Sequence, residues 1–356
     1  MTTPEPINVG DFERLAEERL EPGAFGYFAG GAGDEVTLRE NEEAFQRVVL
    51  RPRMLVDVSS VSTTAEVLGQ ELSMPLLVAP TALQRLAHAD GEAGLARAAA
   101  AAGTVYCLSS LASLRPRELA AETPDGRNWL QLYWSRDRGF TSELLAEAEE
   151  SGFGALVLTI DLPAAGRRER DLRARFRLPP DLPMPNLPRT LVGSEDFHLT
   201  LGEVVDTTLT WRDLEWLAGR CSLPLVLKGV LTAEDARLAC EHGAAGLVVS
   251  NHGGRQLDGS PATLDVLPEV VGAVAGRTEV LLDGGVRRGT DVAKALALGA
   301  RAVLVGRAPL WGLAAGGEEG ARRVLELLRE EILLSLLLLG CPSPAAVGRE
   351  HVRARG

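Results

Sequence analysis

Gly246-Leu-Val-Val-Ser-Asn-His-Gly-Gly-Arg-Gln-Leu-Asp258 is a short apolar run, Leu247 to Val249, that passes directly into Ser250, Asn251, His252, two glycines and Arg255. A run apolar on both faces is what a strand buried in a parallel sheet looks like. Glycines behind it let the chain turn and let backbone approach a ligand. One imidazole and one guanidinium are thereby held at the mouth of a buried strand. Histidine passes protons near neutral pH, and arginine is a planar fork that matches a carboxylate or phosphate. Taken alone, the stretch reads equally as a base beside an anion clamp or as a polar surface loop. The rest of the chain decides between them, because the same design recurs.

Upstream, the apolar runs are Pro75 to Ala79, Thr104 to Leu108, Trp129 to Tyr133, Ala155 to Ile160 and Leu225 to Lys228. Downstream come Val280 to Asp283 and Ala302 to Val305. Helical segments follow them: Gly91 to Ala102, one from about Pro116, Ser142 to Ser151, Ala233 to His242 and Thr290 to Leu298. Eight such units over about 230 residues match the count and length of a (β/α)8 TIM barrel. A doubly wound sheet is the rival, weakened because no Gly-x-Gly-x-x-Gly follows the first strand.

A helical extension precedes the barrel. Asp11 to Leu20 has apolar residues at helical spacing, and Pro22-Gly23 is expected to stop that helix. The whole chain reads as one unit: a preface over 1–74, the barrel over 75–312, and C-terminal helices over 313–356. After the fourth strand a long loop, about 164–209, carries the proline-rich run Leu178 to Pro188. A stiff loop of that length on the active face reads as a lid.

The formal net charge of −12 argues against nucleic acid, which is bound through clustered Lys and Arg. The four cysteines form no CxxC and the five histidines are dispersed, so no metal is expected. The N-terminus lacks the build of a signal peptide. The greasy run Ile332 to Leu339 is too short to span a bilayer and reads as a buried or subunit-facing helix. The expectation is a cytoplasmic protein without membrane contact, associating with copies of itself.

Barrel chemistry is built at the C-terminal ends of strands. Those positions hold Pro80, Thr81 and Ala82; Ser109; Gln131 and Tyr133; Thr159 and Asp161; Lys228; Ser250, His252 and Arg255. After the last two strands come Asp283-Gly284-Gly285-Val286-Arg287 and Gly306-Arg307, where barrels commonly hold a phosphate. Exposed N–H groups and two arginines suit that anion, though a salt-bridged rim would use the same residues. The ligand inferred is a phosphorylated, hydrogen-bonding cofactor of about mononucleotide size.

Ala79-Pro-Thr-Ala82, Gln131-Leu-Tyr133, Gly166-Arg-Arg-Glu169, Leu227-Lys-Gly229, Ser250 to Asp258 and Asp283 to Asp291, in that order, resemble the FMN-dependent α-hydroxy acid oxidase and dehydrogenase family. The likeness runs from about Phe12 to about Val347. It implies FMN with its ring against Pro80, Thr81, Ala82, Ser109, Gln131, Thr159 and Ser250. The phosphate would meet Asp283, Gly284, Gly285, Arg287, Gly306 and Arg307, and Lys228 would lie near the flavin N1/C2 edge. It implies His252 as base with Asp161 as its carboxylate partner. Arg168 and Arg255 would hold the substrate carboxylate, with Tyr27 and Tyr133 as bonding phenols.

The implied reaction takes an (S)-2-hydroxy acid to the 2-oxo acid, as hydride or through a carbanion, with O2 as acceptor giving hydrogen peroxide. A non-oxygen acceptor, lactate-monooxygenase-like chemistry and a type 2 isopentenyl diphosphate isomerase-like enzyme are the alternatives. Relatives are commonly tetramers, so a homotetramer is the expected assembly. Leu111 stands where glycolate oxidases carry a substrate-side tryptophan, and Ala164-Ala165 where they carry bulkier residues. Both replacements point to a medium or long aliphatic, or an aromatic, 2-hydroxy acid.

Overall fold

The computed structural model describes residues 5–188 and 205–355. Three helices lead: α1 (Val9–Arg19), α2 (Pro22–Ala29) and α3 (Val36–Arg47). The Asn8 side chain caps α1 by accepting from the Asp11 N–H. α1 ends at Arg19, three residues before Pro22, as the Pro22-Gly23 pair led one to expect. Pro22 itself opens α2 at a first-turn position, where its missing N–H costs nothing. After β1 (Val48–Leu50), an antiparallel hairpin of β2 (Ala65–Val67) and β3 (Gln70–Leu72) follows. Val67 and Leu72 pack with the inward side chains of the barrel, among them Leu77, Val105, Trp129 and Val157.

The barrel strands are β4 (Leu76–Val78), β5 (Val105–Leu108), β6 (Arg127–Tyr133), β7 (Leu156–Thr159), β8 (Leu225–Val230), β9 (Gly246–Val249), β10 (Glu279–Leu282) and β11 (Ala302–Val305). All pair in parallel, and the sheet closes where β11 meets β4. β4, β5, β7, β9 and β11 are buried at every position, which is why their sequences are apolar throughout rather than alternating. The helices between them are α4 (Gly91–Ala101), α5 (Pro116–Glu122), α6 (Arg138–Glu150), α7 (Glu169–Ala174), α8 (Asp213–Ala218), α9 (Ala233–Glu241), α10 (Thr263–Val274) and α11 (Gly289–Ala297).

α12 (Arg307–Leu339) breaks at Gly316 and Gly317 into two helical pieces. Within its greasy run, Ile332, Leu336 and Leu339 are buried while Leu334 and Leu338 face outward. The terminal β12 (Val352–Ala354) pairs back on β1. Of the proposed lid, 164–188 and 205–209 are described, and 189–204 lie outside the described residues. The proline run packs rather than waving free: Leu178, Met184 and Leu187 are buried. Asn186 Nδ2 donates to Leu114 O at 2.8 Å and Arg115 Nη1 to Pro185 O at 3.1 Å.

Candidate active site

β7 ends at Thr159, and two residues later Asp161 turns over the barrel mouth toward the turn after β9. Gly229 in β8 makes this approach possible: its φ is +117°, and a Cβ there would lie 2.6 Å from Asp161. Across the mouth, His252 Nδ1 meets Asp161 Oδ1 at 3.0 Å. Nε2 has no bond among the described residues, and the ring lines the cavity. Burial pushes the imidazole below its ordinary pKa; Asp161 opposes this, and Lys228 and Arg168 add to it. Burial would raise the Asp161 carboxyl, but the charge and hydrogen bond of His252 outweigh it, helped by Lys228, and hold it below the usual carboxylate range.

His252 has φ +59°, a left-handed conformation unusual for a residue with a side chain. Its backbone is held on both sides. The His252 N–H donates to Ser250 Oγ at 3.1 Å, and the Asn251 side chain bonds the Gly254 N–H at 3.1 Å and Pro261 O at 3.0 Å.

Below the base lies a chain of polar groups from neighbouring strands. Lys228 Nζ donates to Ser250 Oγ at 2.9 Å and pairs with Asp283 Oδ2 at 3.2 Å. Lys228 thus lines the cavity and pairs with a buried carboxylate at the same time. Burial alone would lower its pKa, but Asp283 and Asp161 raise it above the ordinary value, so the wall carries a cation. Gln131 Nε2 donates to Thr159 Oγ1 at 3.0 Å, and its Oε1 receives the Ser110 N–H at 3.0 Å. Thr81, Ala82, Pro80, Ser109 and Leu111 line the cavity directly; Gln131, Thr159 and Ser250 are buried behind that surface.

The arginines converge with Tyr27. Arg255 Nη1 donates to Tyr27 O at 2.6 Å and Gly30 O at 2.8 Å, leaving Nε and Nη2 without a protein partner among the described residues. Its guanidinium lies 4.9 Å from the Tyr27 ring centre, and that of Arg168 5.7 Å. Burial, then Arg168, pushes Arg255 down to about 10. Burial drives the Tyr133 phenol far up, so it stays a proton donor. Arg307 bonds Phe28 O, Gly253 O and Gly30 O, and Arg287 pairs with Glu42 at 2.8 Å.

One cavity of about 930 Å3, including its open mouth, joins these groups. Tyr27, Tyr133, Arg168, Arg255, His252 and Leu111 line one part of it. Asp283, Gly284, Gly285, Arg287, Gly306 and Arg307 line another. Ala164 and Ala165 do not line it. Ala164 is exposed and its carbonyl accepts from Gln256 Nε2 at 2.9 Å, whereas Leu111 stands in the cavity wall.

Two positioning groups escaped the sequence. Gln256 Nε2 also holds Asp161 O at 2.7 Å, while its Oε1 takes the Gly166 N–H at 3.0 Å. Asn41 of α3 exchanges two hydrogen bonds with Asn251, at 2.9 and 2.8 Å. Neither partner is near in sequence, so no local pattern marks them.

Residues 16–354 match the family described as FMN-dependent dehydrogenase. The chain is 51% identical over 347 residues to an L-lactate oxidase of Nostoc sp., covering 94% of this chain and 95% of the relative. It is 49% identical to glycolate oxidase 3 of Arabidopsis thaliana, covering 98% and 96%. Among solved structures, mandelate oxidase superposes with a TM-score of 0.91 at 43% identity, covering 99% of each chain.

The residues present fit FMN. Gly284 and Gly285 line the cavity, their N–H groups bond no protein atom among the described residues, and Arg287 and Arg307 line it beside them, as an anion requires. Asp283 Oδ1 is likewise buried without a partner. The phosphate-suited end, the cation at Lys228 and the polar wall of Thr81 and Ser109 thus share one cavity, and the chain belongs to the FMN-dependent dehydrogenase family, with FMN as its cofactor.

Proposed function

We propose that the protein oxidises an (S)-2-hydroxy acid to the 2-oxo acid and returns the electrons to O2 as hydrogen peroxide. The observation that carries this reading is a neutral-leaning imidazole with a free Nε2, backed by a carboxylate, opening on the same cavity as two arginines. Relatives named L-lactate, glycolate and mandelate oxidase support it.

Bound FMN supplies the two-electron acceptor. Arg255, with Nε and Nη2 free, and Arg168 grip the substrate carboxylate, a forked contact that fixes its orientation. Tyr133 and Tyr27 donate to substrate oxygens. His252 Nε2 takes the proton the substrate loses, and Asp161 keeps Nδ1 protonated and stabilises the imidazolium that forms. Lys228 holds positive charge at the wall where electron density accumulates.

Leu111 in the cavity wall supports a substrate with a medium or long aliphatic, or an aromatic, side chain. Likeness to mandelate oxidase, solved with benzoyl-formic acid, points the same way. Among the described residues no helix is long and apolar enough to cross a membrane. The finer expectations are a cytoplasmic homotetramer, with the outward face of Leu334 and Leu338 in a subunit contact. Anaerobic mixing with a panel of 2-hydroxy acids tests the reaction: the flavin should bleach, fastest with the bulkier acids, and peroxide should form under air. No bleaching with any acid would end the proposal.

A further inference from the structure

The helix α3 lies outside the barrel, yet it touches both working loops. The Asn41 amide is buried, as is that of Asn251, the residue before His252. Asn41 Nδ2 donates to Asn251 Oδ1, and Asn251 Nδ2 donates back to Asn41 Oδ1, which also receives the Thr263 N–H at 3.3 Å. Asn251 in turn fixes Gly254 and Pro261, so its amide is the internal brace of the turn that keeps His252 at φ +59°.

The other side of the same residue presses on the glycine loop after β10. A Cβ on Gly285 would fall 2.0 Å from Asn41 O, and one on Gly284 3.3 Å from the Asn41 amide. The next residue, Glu42, holds Arg287. Asn41 therefore stands between the loop that carries the base and the loop that faces the anion end of the cavity, in contact with both. The His252 turn is held to Asn41 by buried hydrogen bonds and the glycine loop by close packing, so a shift of Asn41 is felt by both loops.

We infer that Asn41 is a positioning residue that ties the His252 loop to the Gly284–Arg287 loop, so that retention of FMN and aim of the imidazole depend on one another. The inference rests on His252 being the base of the proposed reaction.

The test uses holoenzyme of Asn41→Asp, which keeps the side-chain size and sets an oxygen against Asn251 Oδ1 in place of a donor. Asn251→Ala is its counterpart, chosen because Asn251 does not line the cavity. Both should release flavin at least tenfold faster than the parent, followed by the rise of flavin fluorescence on dilution. Both should also reduce flavin at least tenfold more slowly under anaerobic conditions at saturating acid, with the acid limb of that rate displaced. In Asn41→Ala combined with Asn251→Ala, the loss should not exceed that of the worse single variant.

Flavin release unchanged in Asn251→Ala, an unmoved acid limb, or additive losses in the double variant would each overturn the inference. If Asn41→Asp fails to fold, Asn41→Ser is judged by the same criteria. Release is read without turnover. A parent that no 2-hydroxy acid reduced would therefore sink the functional reading, and the release data would still decide whether the loops are tied.

Discussion

His252 Nδ1 and Asp161 Oδ1 lie 3.0 Å apart although 91 residues separate them in the chain. The pairing fixes which ring nitrogen is free, and it sets the sign of the pH dependence. Burial holds the imidazole below its ordinary value of 6.5 despite Asp161, so the base form already dominates at neutral pH. The rate of flavin reduction should therefore be flat around neutrality and fall only as pH drops below the usual histidine range. Asp161 opposes the downward shift; Asp161→Asn should move the acid limb lower still. It should also cut the plateau rate by about 10²- to 10⁴-fold, the range of a disabled general base. Anaerobic stopped-flow reduction across pH checks both, and a limb that moved upward in the variant would refute the pairing's role.

Arg255 makes two claims on its guanidinium: Nη1 holds the backbone of Tyr27 and Gly30, and the other edge faces the cavity. A lysine offers charge without the fork and cannot serve both. Arg255→Lys should raise KM by about tenfold to a hundredfold, as expected for losing a charged hydrogen bond of about 1.5–3 kcal/mol. Steady-state kinetics on the best acid measures it. An unchanged KM would place the substrate carboxylate elsewhere.

The barrel was legible because its strands are apolar at nearly every position, a pattern that parallel pairing imposes. Ala302–Val305 is read to the residue, and Gly246–Val249 within one. The helix Thr263–Val274 was less plain, since Pro268 inside it is a residue that normally ends helices. Strand ends located His252, Asp161, Lys228 and Arg255 because chemistry in this fold has a fixed address. The braces were not legible. Asn41 and Asn251 are 210 residues apart, and an asparagine on a helix carries no mark of its partner. Ala164 and Ala165, set against the bulkier residues of glycolate oxidases, are not among the residues that line the cavity.

Leu111 is buried in the cavity wall, with its N–H bonded to Ser109 Oγ at 3.1 Å and its O to the Leu83 N–H at 3.2 Å. Its backbone is thus fixed, so a larger side chain at this position has to enter the cavity. Leu111→Trp should fill that space and turn preference toward small acids. Bulky 2-hydroxy acids should lose about 10- to 200-fold in kcat/KM relative to glycolate, the scale of one or two misfitted apolar groups. Competition between glycolate and a long-chain acid reads the ratio directly; no change in the ratio would remove Leu111 from the specificity argument.

Gly285 has φ +80°, and any Cβ would fall 2.0 Å from the carbonyl oxygen of Asn41, a backbone atom that cannot swing aside. Gly285→Ala must therefore strain the turn, push α3 away, or both. Overpacking and a left-handed alanine each cost about 1–3 kcal/mol. The first consequence falls on the ligand: Gly284 and Gly285 line the cavity with N–H groups that no protein atom among the described residues accepts, and a displaced loop alters that lining. The variant should purify pale, bind added FMN at least tenfold more weakly, and melt several degrees lower even when flavin is saturating. Flavin titration by fluorescence quenching and thermal melts with and without FMN separate the two effects. Full flavin content with an unchanged melting temperature would mean that α3 does not press on this loop as described.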